Sequence, residues 1–253
     1  IPAALQMAIT AFSNVFVQSY INFFQADCMS GWTAYTKIDQ IMLKQMLDNT
    51  SVGLYSAALA IAGLWGMIPS AFIQSVSPIL YKNAEQDKGM FYKRLKQSYA
   101  GIWLLNVAWS LAISIFSYWV IYFLYGTEYL GARGALVIVV WYSGISSIGS
   151  LTQVYLATEN KNKYVNYFAL AGLATDVILN ALLIPNFGIL GAAVATLTTY
   201  IVIHIVMPLM IRDTRKAGTL ILQGMMFQGV LDDEMKQLIR KAFQKAIRKI
   251  KRK

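Results

Sequence analysis

Long apolar runs recur along this chain, at 1–24, 51–80, 97–125, 134–157, 164–184 and 187–211. Each is near the ~20 residues that an α-helix needs to cross a hydrocarbon core of ~30 Å. The pattern predicts an all-α integral membrane protein with a six-helix transmembrane bundle. The stretch 25–50 interrupts the series. It carries Lys37, Asp39, Lys44 and Asp48, too many charges for an easy crossing. Its apolar residues Trp32, Tyr35, Ile38, Met42 and Met46 nevertheless fall close to helical spacing. An amphipathic helix is expected there, lying at the outer interface or packed into the bundle.

Composition points the same way. The chain is 57% hydrophobic with a mean hydropathy of +0.49, and its 13% of charged residues is about half the share of a soluble domain. Aromatic residues collect at the ends of the runs, among them Tyr20, Tyr81, Tyr99, Trp103, Tyr125 and Tyr129, where amphipathic rings favour the membrane interface. Cys28 is alone, so an internal disulfide is excluded. One His and one Cys make no metal set, and no cofactor, enzyme or nucleic-acid signature is present. The chain begins Ile1-Pro2 inside an apolar run and reads as a piece of something longer.

The basic residues predict an orientation. Twelve of the 22 Lys and Arg lie from Arg212 onward, beside four acids. Lys82, Lys88, Lys93, Arg94 and Lys96 follow the second run, and Lys161 and Lys163 follow the fourth. The turns at 126–131 and 185–188 carry no Lys or Arg. Bases thus recur on every second loop, which places 81–96, 158–163 and 212–253 in the cytoplasm. Six crossings with both ends inside satisfy this count, and a seventh through 25–50 would break it. From Met235 to Ile250 the tail has an apolar face and a basic face, so 212–253 is expected to be a basic amphipathic cytoplasmic tail following the membrane part, 1–211.

Lipid gives no hydrophobic drive between helices, so close contact needs small residues. Ala58, Ala62 and Gly66, Ser143 and Ser147, and Gly191, Ala195 and Thr199 are each four apart. Pro69 should kink the second span, Pro78 should mark its cytoplasmic end, and Pro208 should act similarly near the end of the sixth. Polar residues within the spans are the candidates for chemistry. Gln6, Thr10, Asn14, Gln18 and Asn22 form one slowly winding stripe on the first span, which either lines a cavity or bonds neighbouring helices. Asp176 reads as the only acid deep within a span, with Asn180 four residues on, sharing a face. Its alternatives are a route-lining group and a structural carboxyl bonded to a neighbouring helix. His204 is expected to pack or to bond backbone rather than relay protons.

Several segments together resemble a family. Ile38-Asp39-Gln40-Ile41-Met42-Leu43, Val52-Gly53-Leu54-Tyr55-Ser56-Ala57-Ala58, Leu64-Trp65, Ile68-Pro69, the run from Leu124 to Ala132, Leu156-Ala157-Thr158-Glu159-Asn160 and the run from Asn180 to Thr196 resemble, in order and spacing, the second half of bacterial polysaccharide flippases. Residues 1–40, with Gln6, Asn14, Gln18, Asn22 and Gly31-Trp32-Thr33-Ala34, resemble the start of the second half of MATE multidrug exporters. Gly31-Trp32 and Gly53-Leu54 both look like the entry to the second span of a half, which suggests a recombined chain. The two families share the MATE-like (MOP) superfamily fold of two six-helix halves. The resemblance implies one such half, with an absent N-terminal half as its partner. Its function would be to flip lipid-linked oligosaccharide across a bacterial cytoplasmic membrane for O-antigen or capsule assembly. The polar residues themselves give Asn14, Gln18, Asn22, Arg133, Asp176 and Asn180 as the candidate substrate-facing residues, Arg133 being the one base near that route. A cation-coupled multidrug exporter and a non-transporting membrane assembly protein remain open beside it.

Overall fold

The computed structural model describes residues 38–229, which are helices joined by short turns, bends and single linking residues. Asn14, Gln18 and Asn22, the expected first span and the expected tail beyond 229 lie outside the described residues. In chain order the helices are α1 (Ile38–Met46), α2 (Asn49–Leu64), α3 (Met67–Gln86), α4 (Lys88–Tyr125), α5 (Arg133–Thr158), α6 (Lys163–Ile201), α7 (Met207–Met210) and α8 (Arg215–Met225). A 3-10 turn (Thr127–Ala132) precedes α5, and a π-helical turn (Val202–Val206) precedes α7. Among the described residues four segments are long and apolar enough to cross a membrane: Asn49–Gln86, Lys88–Tyr125, Thr127–Thr158 and Lys163–Met210. Met67, Ile115 and Phe123, each more than 70% exposed, are side chains that suit lipid rather than water.

The fourth of these segments is not one rod. Thr199 lies 23 residues after Asp176, which in a straight helix is a separation of about 35 Å, yet its Oγ1 donates to Asp176 Oδ1 at 3.2 Å. The chain doubles back at Gly188, whose φ of 56° and ψ of −133° are not helical. Only a residue without a β-carbon adopts such a conformation freely. The 164–184 and 187–211 runs are therefore antiparallel, with the reversal between two legs of α6.

Two other expectations are corrected. Pro78 does not end the second span: α3 runs through it to Gln86. The stretch 81–96 is not an open loop but two helix ends meeting at Asp87, whose carboxylate accepts from the backbone N–H of Gly89 and Met90 and so caps α4. Nothing in that stretch opposes helix except this cap. Pro69 acts as expected. The α2–α3 rod breaks at Trp65-Gly66, and Ile68 bonds the Trp65 carbonyl in a tightened turn. Gly66 sits at that break rather than in a continuous small-residue stripe. The Trp65 indole stacks on Trp109 of α4 at 4.9 Å and donates to Asn106, whose amide reaches the Gly144 carbonyl of α5 at 3.1 Å. The break is thus held by two neighbouring helices.

The basic segments converge at one end of the bundle. Glu159 pairs with Lys88 at 3.3 Å and accepts from the Tyr92 hydroxyl at 2.9 Å. Lys161 donates to the Asp213 carbonyl at 2.6 Å, Tyr164 donates to the Asp213 carboxylate, and Lys216 covers the Tyr92 ring at 3.4 Å. Burial alone would raise the Glu159 carboxyl, but the Tyr92 hydroxyl and the Lys88 ammonium outweigh it and hold the group below its ordinary value. The contact therefore stands at neutral pH and is lost as the pH falls through that lowered value. Helix α8 closes this end. Ala217, Gly218, Leu220, Ile221 and Gly224 form its one buried face, and it packs against α4.

Candidate functional site

Helix α1 brings a second carboxyl to Asp176. Asp48 fixes where α2 starts: its side chain accepts from the Ser51 N–H at 2.6 Å. That cap turns α1 back against α2, so that Gln40 bonds Ser56 and Asp39 faces Tyr55. Ile38, Asp39, Met42 and Leu43 form the buried face of α1, against α2 and α6. Of the two positions expected for this stretch, its described part takes the one inside the bundle.

Asp39 is a hub. Its Oδ2 accepts from the Tyr55 hydroxyl at 2.7 Å and from Thr196 Oγ1 at 2.8 Å, and its Oδ1 accepts from Asn180 Nδ2 at 3.0 Å. Tyr55 Oη and Thr196 Oγ1 are also 2.6 Å apart, so one of the two hydroxyls can give its single proton to the other in place of Asp39. Asp39, Asp176, Asn180, Thr196, Thr199 and Tyr55 are all buried. Asp176 and Asn180 lie four apart on the first leg of α6, and Thr196 and Thr199 three apart on the second. Each pair therefore shares a helix face, and the reversal at Gly188 turns the two faces toward each other. Asn180 and Thr196 bond Asp39 while Thr199 bonds Asp176, so the same two helix faces hold both carboxyls. Asp39, outside the described spans, is thus a second buried acid beside Asp176, which lies within one.

The amide of Asn180 points one way only. Its nitrogen must face the Asp39 carboxylate, because an oxygen there would meet an oxygen. This leaves its Oδ1 buried with no hydrogen-bond partner among the described residues. An unmet buried acceptor costs about 1–3 kcal/mol. Two carboxyls and a spare amide oxygen therefore form an oxygen-lined point with no basic side chain among the partners of Asp39 and Asp176. Such a point is balanced by a proton or a small cation.

Of the expected residues, Asp176 and Asn180 are brought together. Arg133 is not among their partners. It opens α5, is exposed, and donates from Nε to Ser117 Oγ at 3.1 Å. Sequence reading missed Asp39, Tyr55, Thr196 and Thr199. A signal for Asp39 was present: it lies beside Ile38 and three residues before Met42, on the apolar face, whereas Lys44 lies on the exposed one. His204 packs as expected, with its ring on Tyr200 at 5.6 Å and in a space opened by Gly149, where a β-carbon would stand 2.1 Å from its Nδ1.

Curated relatives carry the same theme. Over 172 residues the chain is 28% identical to a probable flippase, AglR, of Haloferax volcanii, covering 65% of this chain and 35% of that one. This chain is similar to flippases. Over 169 residues it is 22% identical to the probable low-salt glycan biosynthesis flippase Agl15 of the same organism, covering 66% and 36% of the two chains. Over 80 residues it is 39% identical to Protein DETOXIFICATION 21 of Arabidopsis thaliana, covering 30% and 16%. The matches span about a third of the length of the flippases. The resemblance to MATE-like flippases read from the sequence is found again in these relatives. No family model and no solved structure matches the chain.

Proposed function

We propose that this chain is one six-helix half of a MATE-like flippase, which with a second half moves lipid-linked oligosaccharide across a membrane for glycan assembly. The two halves would rock about a site near the midplane. The observation that carries the reading is the buried Asp39–Asp176 pair, held across a helical reversal inside a membrane bundle, in a chain similar to two flippases. A carboxyl pair of this kind changes its balance when a proton or cation leaves, so opening the site to one side and then the other would couple transport to that ion. The pair also suits the second reading, a cation-coupled exporter, toward which the similarity to the DETOXIFICATION protein points.

The test is Asp176→Asn in the complete transporter, read as surface glycan in cells. The expected result is lost polymer with lipid-linked oligosaccharide retained, at normal protein level. Unchanged polymer would assign Asp176 a structural role. Lost export of organic cations with glycan intact would favour the exporter.

Orientation follows from the same reading. Both ends would be cytoplasmic in a bacterial cytoplasmic membrane, as the basic residues at the end built around Glu159 and Asp213 suggest. With Cys28 replaced, single cysteines at positions 88, 161 and 216 are expected to be shielded from an impermeant thiol reagent in intact cells. Cysteines at 127 and 186 are expected to label. Labelling at 88 would invert the assignment.

A further inference from the structure

A cavity of about 200 Å³ opens where α2 breaks into α3, between that break, α5 and the second leg of α6. One wall is Gly66, Pro69 and Ser70, and the facing wall is a serine ladder on α5, Ser143, Ser146, Ser147 and Ser150. Tyr142 and Tyr200, whose rings are 4.8 Å apart, line it as well. The ladder has a direction. Ser143 donates to the Val140 carbonyl, Ser147 to the Ser143 carbonyl and Ser150 to the Ser146 carbonyl. Their protons are thus committed to the helix, and their oxygen lone pairs remain for an occupant. The break adds the C-terminal end of α2, which carries partial negative charge.

We propose that this cavity is a subsite for one neutral, hydroxyl-rich sugar residue, and that it discriminates against acidic sugars. The proposal rests on the flippase reading above for its substrate class. Acceptor oxygens suit the hydroxyl protons of a sugar, and the two tyrosine rings suit the apolar face of a pyranose. Among the described residues no Lys or Arg lines the cavity, so a sugar carboxylate would meet no counter-charge from them. The volume is several times the ~30 Å³ of one liquid water, enough for one ring and too small for a chain of sugars. A polar cavity of this size is wet when empty, so the sugar replaces water and not lipid.

The test uses the full chain in lipid nanodiscs with N-acetylglucosamine and glucuronate as probes, read by saturation-transfer NMR. The expected result is transfer to N-acetylglucosamine and about tenfold less to glucuronate. Ser70→Leu and Ser146→Leu fill the cavity from opposite walls, at positions that are not fully buried. Each is expected to abolish the transfer while leaving helix content unchanged. Equal transfer to both sugars, no transfer in the wild-type chain, or transfer that survives both substitutions would overturn the proposal. The two readings fail separately. Normal glycan assembly in cells with both leucines would sink the subsite and leave the flippase. Sugar binding without any effect of gene deletion on glycan assembly would sink the flippase and leave the subsite.

Discussion

Asp39→Ala is expected to lower the unfolding free energy by about 3 kcal/mol, a large share of a typical total. The size follows from which groups lose a partner. Tyr55 and Thr196 retain each other at 2.6 Å, and Thr196 also reaches the Ala192 carbonyl at 2.9 Å. Asn180 Nδ2 has no such reserve. It is fully buried, and among the described residues its acceptor is Asp39 alone, so the amide would be left unmet beside a new void. Asp39→Asn should cost less, about 1–2 kcal/mol, because one oxygen remains to accept. Asp176→Asn should cost under about 1 kcal/mol, since an amide oxygen still accepts from Thr199 and the neighbouring carboxyl loses a like charge. Thermal unfolding in detergent followed by tryptophan fluorescence checks the order. A larger loss from Asp176→Asn than from Asp39→Ala would mean that the hub is misplaced.

That asymmetry explains how far the site was legible in the sequence. Asp176 and Asn180 stand out because they interrupt an apolar run at helical spacing, and hydropathy finds such interruptions. Asp39 lies in a segment where Lys37, Lys44 and Asp48 made charge unremarkable, so its burial depended on the helix's rotation. Thr196 and Thr199 are ordinary residues for a membrane helix, and only the return leg of α6 gives them a carboxylate to bond. The spans from 51 onward were visible because burial in lipid demands long apolar runs. Their ends were not, because the membrane does not end a helix: Asp87 does, through its backbone caps. The position of Arg133 was misjudged for a similar reason. Its place near the end of a run was correct, but its partner Ser117 lies on α4, across a turn whose geometry the apolar pattern does not encode.

Gly191→Ala is expected to cost about 3 kcal/mol or more and to abolish function with it. A β-carbon there would stand 2.4 Å from the Leu183 carbonyl oxygen and 2.6 Å from its carbon. These are backbone atoms of the opposite leg and cannot rotate away, so the hairpin itself must open. Gly188→Ala acts at the same turn by another route, through a backbone conformation that side chains resist, at about 1–3 kcal/mol. Gly53→Ala is the control. It lies in α2 with nothing within 4 Å of its would-be β-carbon, and alanine should stabilise the helix there by about 0.5–1 kcal/mol. Unfolding midpoints of the three variants separate the contributions. If Gly191→Ala matched Gly53→Ala, the close approach of the two legs would be wrong. The meeting of Asp176 with Thr199, and of Asn180 and Thr196 on Asp39, depends on that approach. Opening the turn by a few ångströms would part the carboxyl pair from its hydroxyls while every membrane-spanning run kept its length and apolarity.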